Sequence, residues 1–133
     1  MTCLKFSEFM KGTTVRFSVD RNKYSMLKLK VIPDFTDRVL LVMRDKKEIT
    51  VVAKEGFDAN PISQEKFFRL ITFETELPLG LTGFLSHIAT LLADEDIPLL
   101  AFSSYSTDHI LVREEHLETA VDALRKGGFD LTR

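Results

Sequence analysis

The sequence predicts an α+β fold in which two helices cover one face of an antiparallel sheet, and three observations carry it. Short apolar runs rich in β-branched and aromatic residues recur along the 133 residues. Two amphipathic helical repeats occupy the second half. The hairpin pattern of residues 40–55 returns at 100–115.

Leu4, Phe6, Phe9 and Met10 form an apolar pattern ending at Gly12, as a short helix or an extended lead-in would. Val15, Phe17 and Val19 alternate with polar residues and predict a strand, and the polar cluster Arg21-Asn22-Lys23 predicts a turn after it. A second strand is expected over Tyr24 to Val31, closed by Pro33. Val39 to Met43 and the β-branched run Ile49 to Ala53 flank the charged stretch Arg44 to Glu48, which reads as the solvated tip of a hairpin. Gly56 to Gln64 contains Gly56, Asn60 and Pro61, lacks apolar periodicity and is the best internal linker. A β-rich run over Phe67 to Leu77 stops at Pro78.

After Gly80, the residues Leu81, Phe84, Leu85, Ile88, Leu91 and Leu92 fall on one helical face. Pro98 to Phe102 and His109 to Val112 form a second hairpin around Ser103 to Asp108. Leu117, Ala120, Val121 and Leu124 repeat the helical spacing. Glu114, Glu115 and Glu118 at that helix's start, Arg125 and Lys126 at its end and Gly127-Gly128 beyond agree with the helix dipole and a glycine C-cap. Phe129 to Leu131 reads as a short closing strand. From Phe67 onward the order strand, helix, strand, strand, helix, strand is that of a ferredoxin-like βαββαβ unit.

Setting Leu40 on Leu100 gives an offset of 60 (100 − 40) that carries one hairpin onto the other. Only Ile32 to Arg38 separate the strand ending near Val31 from the one starting near Val39, too few for a crossover helix. The expected organisation is therefore a reduced unit with its lead-in over 1–60 and a complete unit over 61–133. Neither half has enough core alone, so the two are expected to fuse into one compact domain.

With 18 Lys+Arg against 20 Asp+Glu the net charge is −2, so no general field draws the protein toward nucleic acid or an anionic membrane, and neither is an expected partner. No run approaches the ~18 apolar residues of a membrane span, and Met1 to Met10 lack the apolar core of a secretory signal. A cytoplasmic protein is expected. Cys3, the single cysteine, excludes an intramolecular disulfide and a cysteine-built metal site, and its near-terminal position argues against a catalytic thiol. His87, His109 and His116 have no His or Cys partner at i+3 or i+4, which argues against a metal site. Asp108-His109 beside serines has the composition of an acyl-transfer triad, but adjacent strand residues point to opposite faces. The 11 phenylalanines, with no tryptophan, read as core packing. Neither cofactor nor catalysis is expected.

The second half resembles the ACT family of small-molecule-binding regulatory domains. The resemblance rests on Gly80-Leu81-Thr82-Gly83-Phe84-Leu85 at the first helix entry, on Ile97 to Leu100, and on Ser104-Tyr105-Ser106-Thr107-Asp108-His109-Ile110-Leu111-Val112 before the second helix. With the shortened upstream copy, the chain is similar over roughly Tyr24 to Phe129 to compact tandem-ACT proteins related to the ACT pair of aspartate kinases and to the cytosolic arginine sensor of animal cells. Leu79 and Gly80 stand where an acidic residue and Pro-Gly are common in the family.

The resemblance implies ferredoxin-like ACT units in tandem, the first reduced, with a homodimer and a non-catalytic regulatory or sensor role. It also implies an amino acid or similar metabolite bound between units near the strand-to-helix turn, and so marks Gly80, Leu81, Thr82 and Gly83 as ligand contacts. The physics of that turn agrees, because glycines permit close approach and free N–H groups at the start of the Leu81 helix favour a carboxylate. By analogy Asp108 accepts the ligand's ammonium group, with Ser103, Ser104 and Thr107 adding neutral hydrogen bonds. A purely structural reading makes Gly80 and Gly83 turn and packing glycines, Thr82 an N-cap or first-turn residue, and Asp108 a residue that starts a strand or stabilises a turn. The alternative function is an oligomerisation or protein-interaction module with no ligand. A small ferredoxin-like enzyme comes third, since no nucleophile, base and orienting group converge.

Overall fold

The computed structural model describes residues 4–132, so Cys3 lies outside the described residues. Contacts divide the chain into two compact units, one formed by the residues up to Asp20 with those from Leu70 onward, the other by Arg21–Arg69. The division expected from the repeat, 1–60 against 61–133, concerns the kinship of the two halves, a different matter from which residues touch.

The larger unit begins with β1 (Leu4–Lys5), α1 (Phe6–Gly12) and the first residues of β2 (Arg16–Leu29). It resumes at the end of β5 (Ser63–Phe73) and continues through β6 (Leu81–Thr82), α2 (Phe84–Ala93), β7 (Leu100–Ser103) and β8 (Asp108–Arg113). A 3-10 turn (Glu114–His116), α3 (Leu117–Lys126) and β9 (Asp130–Leu131) complete it. In its sheet β7 pairs antiparallel with β8 from Leu100↔Leu111 to Ser103↔Asp108, β5 lies on the other side of β8, and β2 lies beyond β5. β9 runs parallel to the start of β2. Apolar side chains alternate along these strands, so Phe17, Ile71, Phe73, Ile110 and Val112 share one buried cluster. The helices close over it with Ile88 and Leu92 from α2 and Ala120, Ala123 and Leu124 from α3.

Phe6 of α1 joins this core. Its ring lies 5.2 Å from Phe84 and 6.0 Å from Phe129, and Phe73 meets Phe84 and Phe129 edge-on at 5.1 and 5.5 Å. The lead-in is therefore both forms the sequence allowed, a two-residue strand followed by a helix.

Helix α2 starts three residues later than its apolar spacing suggests. Leu81 and Thr82 instead pair in parallel with Leu4 and Lys5, and Gly83 at φ 94° is the N-cap. This corrects the reading of Thr82 as an N-cap or first-turn residue: it lies in the strand before the cap, and its Oγ1 donates to the Leu4 carbonyl at 3.4 Å. The apolar face is also narrower than expected, because Leu85 is 53% exposed while Ile88 and Leu92 are buried.

The smaller unit holds the remainder of β2, the hairpin of β3 (Val39–Arg44) and β4 (Ile49–Lys54), and the first residues of β5, with no helix. β4 pairs antiparallel with β3 on one side and with Tyr24–Leu29 of β2 on the other. Leu27, Leu29, Val39, Val51 and Ala53 form one buried cluster in it, and Tyr24, Val52 and Phe68 are buried as well. The turn expected at Arg21–Lys23 does not form. β2 runs straight through the cluster because Arg21 and Lys23 are exposed on the strand, and the Lys23 carbonyl accepts the Glu55 N–H at 3.0 Å. Partner-strand pairing overrides local polarity here.

The hairpin repeat is real but its offset is 59, since β4 begins at Ile49 and β8 at Asp108 (108 − 49). Both strands then show the same sequence of burial, two half-buried residues, three buried and one half-buried. The anchor at Leu40 misled by one residue because the β3–β4 register shifts between Val39 and Leu41, leaving Leu40 as the bulged extra residue.

Candidate functional site

The β7–β8 loop is built for a tight turn of four residues. Ser104 donates its N–H to the Thr107 carbonyl at 2.9 Å and its hydroxyl to the same oxygen at 3.3 Å. At its base Ser103 and Asp108 form the last cross-strand pair, and the Ser103 hydroxyl donates to Asp108 Oδ1 at 2.5 Å.

Opposite stands the entry of α2. Gly83 needs glycine for its positive φ rather than for space, since an added Cβ would meet Phe6 only at an ordinary 3.7 Å. The first intrahelical bond runs from the His87 N–H to the Gly83 carbonyl at 2.9 Å, so the N–H groups of Phe84, Leu85 and Ser86 have no partner within the helix.

Between these two elements lies a cleft of about 340 Å³. Of the eight residues expected to contact ligand, Leu81, Gly83, Ser103, Ser104, Thr107 and Asp108 line it. Gly80 and Thr82 do not. Gly80 sits in the exposed turn that the Leu81 N–H closes on the Pro78 carbonyl at 3.0 Å, and Thr82 lines a separate cleft beside Lys5, Ser86 and His87. Leu77, Pro78, Leu79, Leu85 and Tyr105 also line the first cleft and were not among the expected residues. The available signal for Leu79 was an apolar side chain between a proline and a glycine, where no strand or helix could bury it. A smaller cavity of about 130 Å³ shares Phe84, Leu85, Ser103 and Asp108 with the cleft and is otherwise lined by apolar residues such as Phe73 and Ile88 and by His109.

His109 is held away from Asp108. Its Nδ1 lies 2.9 Å from Thr72 Oγ1 and its ring stacks on Phe102 at 5.2 Å, so no acyl-transfer relay is assembled. Burial pushes its pKa below the ordinary value of 6.5, with the carboxylates of Asp108 and then Glu74 opposing that shift. His87 has its Nε2 3.2 Å from the Gly127 carbonyl. Among the described residues no group of three His, Cys, Asp or Glu could hold a metal ion, and no helix is long and apolar enough to cross a membrane.

Residues 63–126 match the family model of the ACT domain. No curated protein matches the sequence. Among solved structures, a protein of Agrobacterium tumefaciens is 21% identical with a TM-score of 0.79, over 90% of this chain and 93% of that one. A Vibrio cholerae protein described as of unknown function, possibly in transport, is 22% identical with a TM-score of 0.71, over 92% and 96%. The regulatory subunit of aspartate kinase from Thermus thermophilus is 11% identical with a TM-score of 0.62, over 86% and 97%. These structures share the fold, the ferredoxin-like α+β architecture of ACT regulatory domains. The span from Ser63 to Lys126, which carries the cleft and both covering helices, is an ACT domain.

Proposed function

We propose that the protein is a non-catalytic regulatory sensor that binds an amino acid with an uncharged, apolar side chain in the cleft between α2 and the β7–β8 loop. One observation carries this reading: the two walls offer opposite polar ends to a zwitterion. The N–H groups of the first α2 turn, which have no partner within the helix, suit a carboxylate, and Asp108, steadied by Ser103, suits an ammonium group. Gly83, Ser104 and Thr107 add close backbone approach and neutral hydrogen bonds, and Leu81 adds apolar wall. Gly80 and Thr82 support the turn from behind. Among the described residues no lysine or arginine lines the cleft to neutralise an acidic side chain, and the adjoining apolar cavity suits a hydrocarbon one.

Several further parts belong to the same proposal. The chain is two kindred ACT units, 1–60 reduced and 61–133 complete, and it acts as a homodimer in the cytoplasm without a cofactor. The exposed edge of β7, where Leu100 and Ala101 face solvent, favours a partner strand. Ligand binding would shift the population between subunit packings.

A thermal-shift series tests the ligand. Leucine, valine or phenylalanine at about 100 times its dissociation constant should stabilise the protein by about 2.7 kcal/mol, while aspartate and lysine should do nothing. Asp108→Asn should abolish the shift with the unliganded melting temperature nearly unchanged. Silence toward every amino acid would sink this reading in favour of an interaction module, which the full exposure of Leu79 and Tyr105 at the cleft mouth favours.

A further inference from the structure

β7 and β8 pair with Ala101 opposite Ile110 and Ser103 opposite Asp108. Residues directly opposite one another share a face of the sheet, as do residues two apart along a strand. All four therefore lie on the face that α2 covers, where Ile110 belongs to the core. Ser103 and Asp108 make the polar end of this strip, and Ala101 and Ile110 make its apolar end. Ala101 brings only a methyl group and stays exposed on the covered face. In front of it lies the cavity of about 130 Å³, walled by Phe84 and Ile88 of α2 and by Phe73 of β5.

An amino acid held in the cleft has to place its side chain somewhere, and the position of Asp108 decides where. Ser103 and Asp108 line both the cleft and the smaller cavity, so they stand where the two volumes meet. In an α-amino acid the side chain leaves from the carbon that carries the ammonium group. With that group on Asp108, the side chain starts at the mouth of the cavity, and the carboxylate stays on the cleft side toward the first turn of α2. Beyond the mouth the walls are mostly hydrocarbon. Burial pushes the pKa of His109 beside them below 6.5, against the pull of Asp108 and Glu74, so its imidazole is neutral at physiological pH. An aliphatic side chain loses its water favourably in such surroundings.

We infer that the amino acid proposed for the cleft, on which this step rests, carries an aliphatic side chain of about three to five heavy atoms, and that Ala101 sets the upper limit. Valine, leucine, isoleucine and methionine meet this condition. An apolar cavity of about 150 Å³ accepts benzene, with its six carbons. A cavity of about 130 Å³ accepts slightly less, and the benzyl group of phenylalanine, at seven carbons, exceeds it. Valine or leucine in place of Ala101 fills part of the same space.

The test is a titration of the full-length chain, followed by its backbone amide signals in two-dimensional NMR. The ligands are the straight-chain L-amino acids from alanine through norvaline and norleucine to 2-aminooctanoate, with phenylalanine as the bulky member. Affinity should rise about fourfold with each added carbon, reach its maximum at about four to five carbons and then fall, leaving phenylalanine at least about tenfold weaker than leucine. Ala101→Val and Ala101→Leu, which add two and three carbons to the wall, should move the maximum down to about three and about two carbons, with alanine binding unchanged within about twofold. A maximum that stays in place in both variants, a rise that continues through phenylalanine, or equal weakening of every ligand including alanine overturns the size limit and leaves the sensor reading standing. Silence toward every member of the series overturns both.

Discussion

His109 shows how a residue in a recognisable motif takes a role the motif does not announce. Burial against Phe102 and Thr72 disfavours its imidazolium, and Asp108 and Glu74 only partly compensate, so its folded pKa lies below 6.5. As pH falls below 6.5 the unfolded chain takes up a proton that the folded one refuses. Stability therefore rises with pH through that window and is flat above it as far as this residue is concerned. Urea denaturation at about pH 7.5 and about pH 5.5 should find the wild type weaker at the lower pH. His109→Gln, which can still bond Thr72, should lose less between the two; equal losses would clear His109 of the effect. The neighbouring Asp108 was legible as a candidate because its type and its place beside a serine-rich turn limit its options. That Ser103 rather than His109 would hold it depends on cross-strand register, which composition does not encode.

At the scale of the element, both long helices end in the same way, and only one ending was visible beforehand. α3 closes with Phe129 N–H to Leu124 carbonyl at 3.0 Å and Gly128 N–H to Arg125 carbonyl at 3.2 Å, with Gly128 at φ 101°. α2 repeats the arrangement, with Ile97 N–H to Leu92 carbonyl and Asp96 N–H to Ala93 carbonyl, both at 2.9 Å, but puts Asp96 at φ 57° where a glycine is favoured. The Gly-Gly pair advertised the first stop, whereas an aspartate in a left-handed conformation looks like any loop residue. Asp96→Gly should therefore stabilise by about 1 kcal/mol, raising the melting temperature by about 3 °C. Gly128→Ala should cost about 1–2 kcal/mol, both for the strained φ and because its Cβ would press on Met10 at 3.1 Å. Calorimetry on the two variants checks both; a neutral Gly128→Ala would mean the turn has relaxed to another shape. The start of α2 is hidden in the sequence for a related reason, since Leu81 satisfies the helical period while its backbone is claimed by Leu4.

Across the whole molecule the two units differ in how much they bury. The larger cluster holds Phe6, Phe17, Phe73 and Phe129 together with aliphatic side chains from the sheet and both helices. The smaller one consists of Leu27, Leu29, Val39, Val51 and Ala53, with Phe57 half-buried against it and, among the described residues, no helix of its own unit to cover it. The repeated pattern makes the likeness of the two hairpins readable, and the shortness of Ile32 to Arg38 makes the missing helix readable. What it could not convey was how the chain is divided, because β2 and β5 each pass from one unit to the other and so break the simple order of first half and second half. A fully buried aliphatic side chain contributes about 1.5–3 kcal/mol, so the shorter inventory leaves the hairpin of β3 and β4 with less to lose on opening than β8. Native-state hydrogen exchange should find the amides of Val42, Val51 and Ala53 opening at least about 1 kcal/mol more easily than those of Ile110, Leu111 and Val112. Their offset of 59 makes this a controlled comparison, since β4 and β8 have the same burial pattern residue by residue and differ in what lies around them. Equal protection in the two strands would mean that the smaller unit opens only when the whole chain does. Its stability would then come from the continuity of β2 and β5 rather than from its own core.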